Sequence, residues 1–236
     1  MKKIFPNDLH SITQLFIRLI LLNVLFLLFI SPLVLFVSLI GIAQIDHYPF
    51  LLFLVSLTVP AAAVALFRSM FTLIDQPDEA IYKLFFRSYK QAFTKEISPL
   101  LMIHLLLFLL SFDGLLYSVF PSLTLLSPLY FILRFISLTL YPIYCLEIAL
   151  FKNPVPVIAK NGLILFFSKP FLILLTVLYF LFALLILSEL PAALLLFTFS
   201  LFCYLYISFD YISLTDRIAK SNSQKGTEKN DFSTNI

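Results

Sequence analysis

The sequence predicts an all-α, polytopic membrane bundle of six transmembrane helices, with one amphipathic helix lying at the cytoplasmic surface. Three observations carry that prediction. Hydrophobic residues make up 61% of the 236 and charged residues only 12%, with a mean hydropathy of +1.02, whereas soluble domains run at roughly 45–50% apolar and about 25% charged. The apolar residues gather in six runs, each near the ~20 residues that cross a bilayer core. Fifteen of the sixteen Lys and Arg residues fall in alternate breaks between those runs, and Arg134 is the exception. Cations in short loops resist translocation, so this alternation predicts an even number of crossings with both termini in the cytoplasm.

Residues 1–16 read as a cytoplasmic N-terminal segment. Lys2 and Lys3 ahead of an apolar run suggest a signal peptide, but the polar interval Pro6 to Gln14 intervenes. The run is also too long for an h-region and no small-x-small pattern follows it, so an uncleaved first span is expected. The spans are placed at about 17–40, 50–73, 98–120, 126–150, 170–188 and 190–213, which makes 17–213 one transmembrane domain. Between the second and third lies the one long polar and aromatic connector, with a helix expected over 77–96. At about 100° per residue, Ile81, Leu84, Phe85, Ser88, Tyr89 and Ala92 share one side while Lys83, Arg87, Lys90 and Thr94 lie opposite. Pro77, which needs no amide donor, and the acidic Asp75, Asp78 and Glu79 specify its start. The expectation is a helix at the lipid surface, apolar side down. Residues 214–236, rich in Ser, Asn, Lys, Thr and Glu, have too little to bury and are expected to be a disordered cytoplasmic tail.

Pro32, Pro60 and Pro142 lie inside apolar runs, where each removes a helical hydrogen bond that a neighbour must replace. Packing kinks and gating hinges both fit. A proline-bearing span, a basic connector and a Ser-Pro or Lys-Pro step at Pro99 and Pro170 occur twice, an echo too faint to define a repeat. Cys145 and Cys203 lie within apolar runs and describe neither a disulfide framework nor a metal site.

The segments LLNVLFLLFISPLV (21–34), PAAAVALFRSMF (60–71) and FFRSYKQAF (85–93) together resemble the YesL-like family of bacterial integral membrane proteins. The residues that carry the likeness are Asn23, Pro32, Pro60, Ala61, Leu66, Phe67, Phe85, Tyr89, Lys90 and Phe93. The likeness runs over roughly the first 110 residues and thereafter is one of topology. It implies a bacterial plasma-membrane protein without an established activity, of a kind often encoded beside carbohydrate uptake systems.

Five intramembrane polar residues are candidates for function. Asp113 and Arg134 come to similar depth on adjacent spans and are expected to pair, since a cation within a span needs protein or water as partner. A solute or headgroup site and snorkelling to the outer surface are the alternatives for Arg134. His104, Glu147 and Asp210 form a proton-relay cluster in one reading and ordinary interhelical or wet groups in the other. Tyr141, Tyr144, Tyr204 and Tyr211 flank them as packing residues or as the lining of a sugar-sized cavity. On the connector, Lys83, Arg87 and Lys90, with Tyr89 and Phe93, anchor the helix to an anionic leaflet at on the order of 1 kcal/mol per cation, or else dock a cytoplasmic partner such as a carbohydrate ABC transporter component.

Four glycines make no phosphate-cradling loop, three scattered histidines offer no zinc spacing, and no nucleophile has a base beside it. No cofactor, metal, enzymatic activity or nucleic-acid partner is expected. The expectation is an accessory or regulatory plasma-membrane component associated with carbohydrate uptake, with a small-solute transporter as the alternative.

Overall fold

The computed structural model describes residues 9–41, 44, 47–75, 79–111, 120–151, 153–189 and 195–233, and every regular element among them is helical. The first apolar run forms α1, Leu9–Ile40, with Pro32 inside it. Gly41 ends it at φ 81°, its N–H donating to the Val37 carbonyl at 2.9 Å, a left-handed cap that suits a residue lacking Cβ. The second run is two helices, α2 (Pro49–Ser56) and α3 (Thr58–Asp75), divided at Leu57. Pro60 therefore lies in the first turn of α3, where its missing N–H has no intrahelical acceptor, and the expected lost hydrogen bond does not arise.

After α3 come α4 (Ile81–Lys95) and α5 (Ile97–Ser111), then a 3-10 turn (Pro121–Leu126) leading into α6 (Ser127–Leu150), which contains Pro142. The chain closes with α7 (Val155–Ser168), α8 (Pro170–Glu189) and α9 (Leu195–Ser233). Ile12–Ile40, Pro49–Asp75 and Thr124–Leu150 are each long and apolar enough to cross a membrane. The pairs α4–α5, bent by 81°, and α7–α8, bent by 90°, raise the number to five if each counts as one span. Leu39, Phe50, Phe131 and Phe167 stand out from the bundle, a surface for hydrocarbon rather than water.

The echo in the sequence has a structural counterpart. In each case an inner helix (α3, α6) leads to a shorter helix (α4, α7) that turns by about a right angle into the next outer helix (α5, α8), at Glu96 just ahead of Ser98-Pro99 in the first case and at Lys169, directly before Pro170, in the second. A residue before proline disfavours the helical region, which accounts for the bend at Lys169 (φ −125°, ψ 65°), whereas Ser98 is helical and Pro99 sits in the first turn of α5, where a missing N–H costs no intrahelical bond. The outer helices α1, α5 and α8 each pack on the inner helix that follows them (α3, α6 and α9). Each also touches a second inner helix: α1 touches α9, α5 touches α3, and α8 touches α6. Three helical hairpins thus follow one another around a centre made by α3, α6 and α9. Ala61, Ala62 and Ala65 let α3 approach its neighbours closely, and Leu66, Phe85, Ile143, Tyr206 and Ile207 fill the interior.

Three expectations change. α1 begins at Leu9, ahead of the boundary expected at 17, because an established helix extends into polar residues without a new nucleation cost, and His10 and Gln14 bond across the added turn at 2.8 Å. The tail expected to be disordered continues α9 to Ser233 for the same reason, through a stretch whose Ser, Asn, Thr, Asp and Gly226 residues are weak helix formers, so local propensity does not account for it. The connector helix is shorter than 77–96, and its apolar face meets protein rather than lipid. Leu84, Phe85, Ser88 and Ala92 are buried, packed chiefly on α3 and also on α1. The 3.6-residue period marks that face as apolar without saying what covers it, and here α3 and α1 cover it, with Phe29 of α1 against Phe85.

Candidate functional site

The polar chemistry of the chain collects where the inner helices end, beside α4 and α7. It begins with α4, whose residues divide into three stripes. The buried stripe holds Leu84, Phe85, Ser88 and Ala92; Tyr82, Phe86 and Phe93 form an exposed aromatic stripe; Lys83, Arg87 and Lys90 form an exposed basic one. Phe29 of α1 is the anchor, with ring centroids 5.5, 5.2 and 4.2 Å from Phe85, Phe86 and Tyr89. Partial burial there pushes the Tyr89 hydroxyl above its ordinary range, so it stays protonated at neutral pH. Arg87 reaches Glu79 at 3.2 Å, an exposed contact of little energetic weight.

Arg68 fixes the far end of α4. Its Nη2 donates to both carboxylate oxygens of Glu96, at 2.7 and 2.8 Å, and to the Ile148 carbonyl at 3.1 Å, while Nε donates to the Ala149 carbonyl at 2.8 Å. Gln91 adds a bond to Glu96 at 3.0 Å. One guanidinium thus joins α3, the α4–α5 corner and the C-terminus of α6, whose last carbonyls lack intrahelical donors.

A second cluster surrounds Glu147, which is 0% exposed. Arg217 of α9 pairs with one carboxylate oxygen, and Asn161 of α7 donates to the other at 3.2 Å. The Arg217 guanidinium also lies 4.6 Å from the centre of the Phe151 ring. A third cluster is the pair between Lys169, at the α7–α8 corner, and Asp210 of α9, at 2.8 Å with Asp210 only 3% exposed. Beside it opens a cleft of about 510 Å³ whose walls include Lys169, Asp210, Asp216 and Arg217.

The predicted residues are therefore partly united. Glu147 and Asp210 are neighbours through Arg217, which pairs with the first and shares the cleft with the second. His104 is not drawn into that group by any described contact: it hydrogen-bonds the Ser56 hydroxyl at 2.9 Å and packs against Phe53 and Phe108. Arg134 is exposed on α6, and Asp113 lies outside the described residues. Of the tyrosines, Tyr204 and Tyr211 are buried and Tyr141 and Tyr144 half-buried. Tyr144 lies so close to Gly162 that no Cβ fits there without displacing the ring.

Sequence reasoning missed Arg68, Glu96, Asn161, Lys169 and Arg217 as site residues. Arg68 had a usable signal, since it lies within the apolar run 50–73 and a charge at that depth requires a partner. Asn23, by contrast, is explained by its position: fully buried, it accepts from the Phe199 and Ser200 amides at 3.0 and 3.1 Å and ties α1 to α9. Ser200 returns a bond to the Leu19 carbonyl at 2.7 Å. Among the described residues no group of His, Cys, Asp and Glu is placed to hold a metal, and Cys145 and Cys203 are both buried thiols.

Residues 19–114 match the model of a family described as a protein of unknown function, DUF624. The three segments that resemble the YesL-like family all lie inside that match. No curated protein and no solved structure matches the chain.

Proposed function

We propose that this chain, whose residues 19–114 carry a domain of unknown function, is a six-span plasma-membrane protein that serves as an accessory component of a larger assembly, with both termini cytoplasmic. The fifth and sixth crossings in that reading are α8 and α9, with α4, α7 and the polar end of α9 on the cytoplasmic side. The observation that supports an accessory role is the mounting of α4. Its inner face is buried and its C-terminal corner is clasped by Arg68, so a rigid helix presents Lys83, Phe86, Arg87, Lys90 and Phe93 outward. Loss of freedom on docking is small for such a surface, and basic and aromatic side chains suit an acidic groove. The partner class that the family resemblance suggests is the nucleotide-binding subunit of a carbohydrate transporter.

The test is capture of that subunit from membranes in which both proteins are expressed. Changing Lys83, Arg87 and Lys90 together to Gln lowers capture at least about tenfold, as the loss of ~1.4 kcal/mol or more requires, while insertion and yield stay the same. Undiminished capture by the triple variant would leave α4 as a plain membrane anchor. The rival reading, small-solute transport by the chain itself, predicts flux into proteoliposomes that depends on His104 or Arg134.

A further inference from the structure

We propose that the cleft between the α7–α8 corner and α9 binds an aminoethyl phosphodiester, the headgroup of phosphatidylethanolamine, with the ammonium on Asp210 and Asp216 and the phosphate on Lys169 and Arg217. This site is separate from the outer face of α4 and does not depend on its partner.

The polar groups of the cleft are left incomplete in a specific way. Lys169 satisfies Asp210 Oδ1, but Oδ2 is buried without a hydrogen-bond partner although Asp210 lines the cleft and is 3% exposed. Arg217 has Nη2 on Glu147 and its Nη1 buried without a partner. A buried carboxylate oxygen needs a donor and a buried guanidinium N–H needs an acceptor. Both atoms are closed to solvent as the helices stand, so a ligand in the cleft meets them by a turn of the Asp210 and Arg217 side chains toward it, and one that carries both a donor and an acceptor completes the two.

Charge selects among such ligands. Lys169 and Arg217 face Asp210 and Asp216 in the cleft, with Glu147 behind Arg217, so carboxylates outnumber cations by one and a purely anionic headgroup is disfavoured. A zwitterion fits. Among zwitterionic headgroups, a primary ammonium donates N–H to Asp210 and a trimethylammonium cannot.

The surroundings point to a lipid. Phe171 and Phe209 meet edge to face at 4.7 Å and, with Ile212, stand about half exposed beside the cleft, an apolar edge suited to acyl chains. Lys169 precedes the first residue of α8 at the right-angle corner, which in the six-span reading proposed above, on which this placement rests, is the level of the headgroups.

The full chain, purified and placed in phosphatidylcholine nanodiscs with a minor share of phosphatidylethanolamine, tests this by native mass spectrometry of retained lipid. Wild type is expected to enrich phosphatidylethanolamine about tenfold over its share. Asp210→Asn and Asp216→Lys each abolish the enrichment. Asp216 is exposed, so loss in that variant is not loss of fold. Displacement of the lipid by glycerophosphoethanolamine, which has no chains, would support the headgroup chemistry and name a soluble ligand as an occupant; failure to displace it assigns the site to lipid. Equal retention of both lipids by wild type, or enrichment unchanged in both variants, would overturn the proposal.

Discussion

Replacing Arg68 by alanine is expected to destabilise the protein by about 3–5 kcal/mol, the usual result of removing one partner from a buried ion pair. In detergent this lowers the melting temperature by on the order of 10 °C. The cause is what remains behind. Glu96, 12% exposed, keeps only Gln91, and the Ile148 and Ala149 carbonyls lose their donor at the end of α6. Arg68→Lys is expected to recover little, because an ammonium cannot offer a planar fork to a carboxylate and two carbonyls at once. Glu96→Gln is expected to cost less than either, since the amide oxygen still accepts from Arg68. Thermal unfolding followed by size-exclusion chromatography orders the three variants, and equal stability of Arg68→Ala and wild type would remove the clasp from the account.

The Glu147–Arg217 pair has the second largest expected effect. Glu147→Ala leaves the Arg217 guanidinium, 27% exposed, against the Phe151 ring without its counter-ion, at a cost of about 2–4 kcal/mol. Arg217→Met leaves a fully buried carboxylate with Asn161 alone and is expected to be the more damaging change. The double variant Glu147→Met with Arg217→Met fills the same space without charge and is expected to recover most of the loss, as apolar replacements of buried pairs do. The double-mutant cycle, read as melting temperature, reports the coupling. Additive losses would mean that the two groups do not act on each other.

The parts legible in the sequence were those governed by period and composition. The face of α4 that the 3.6-residue repeat picks out is the face that is buried, and the long apolar runs are helices. What covers that face was not legible, because a periodic stripe says that something apolar meets it and not whether this is acyl chain or α3. Helix ends were misplaced for a related reason: propagation of α1 and α9 into polar residues leaves no local signature. The candidate site was half legible. Glu147 and Asp210 were visible as carboxylates inside apolar runs. Their partners Arg217 and Lys169 looked like the loop cations that orientation alone requires, and pairing across 70 and 41 residues is set by the packing of hairpins. Arg68 hid in the same way, counted with the connector although it sits inside a helix.

In the proposed six-span arrangement, α4, α7 and the end of α9 share one side of the bilayer. Thiol labelling tests that placement directly, in a Cys145→Ala and Cys203→Ala background with single cysteines at Lys83, Lys160, Lys229, Gln44 or Leu125. In intact cells, an impermeant maleimide is predicted to label the cysteines at 44 and 125 and to reach those at 83, 160 and 229 only after permeabilisation. Labelling of position 83, 160 or 229 from outside, or of all five from one side, would contradict the six-span arrangement.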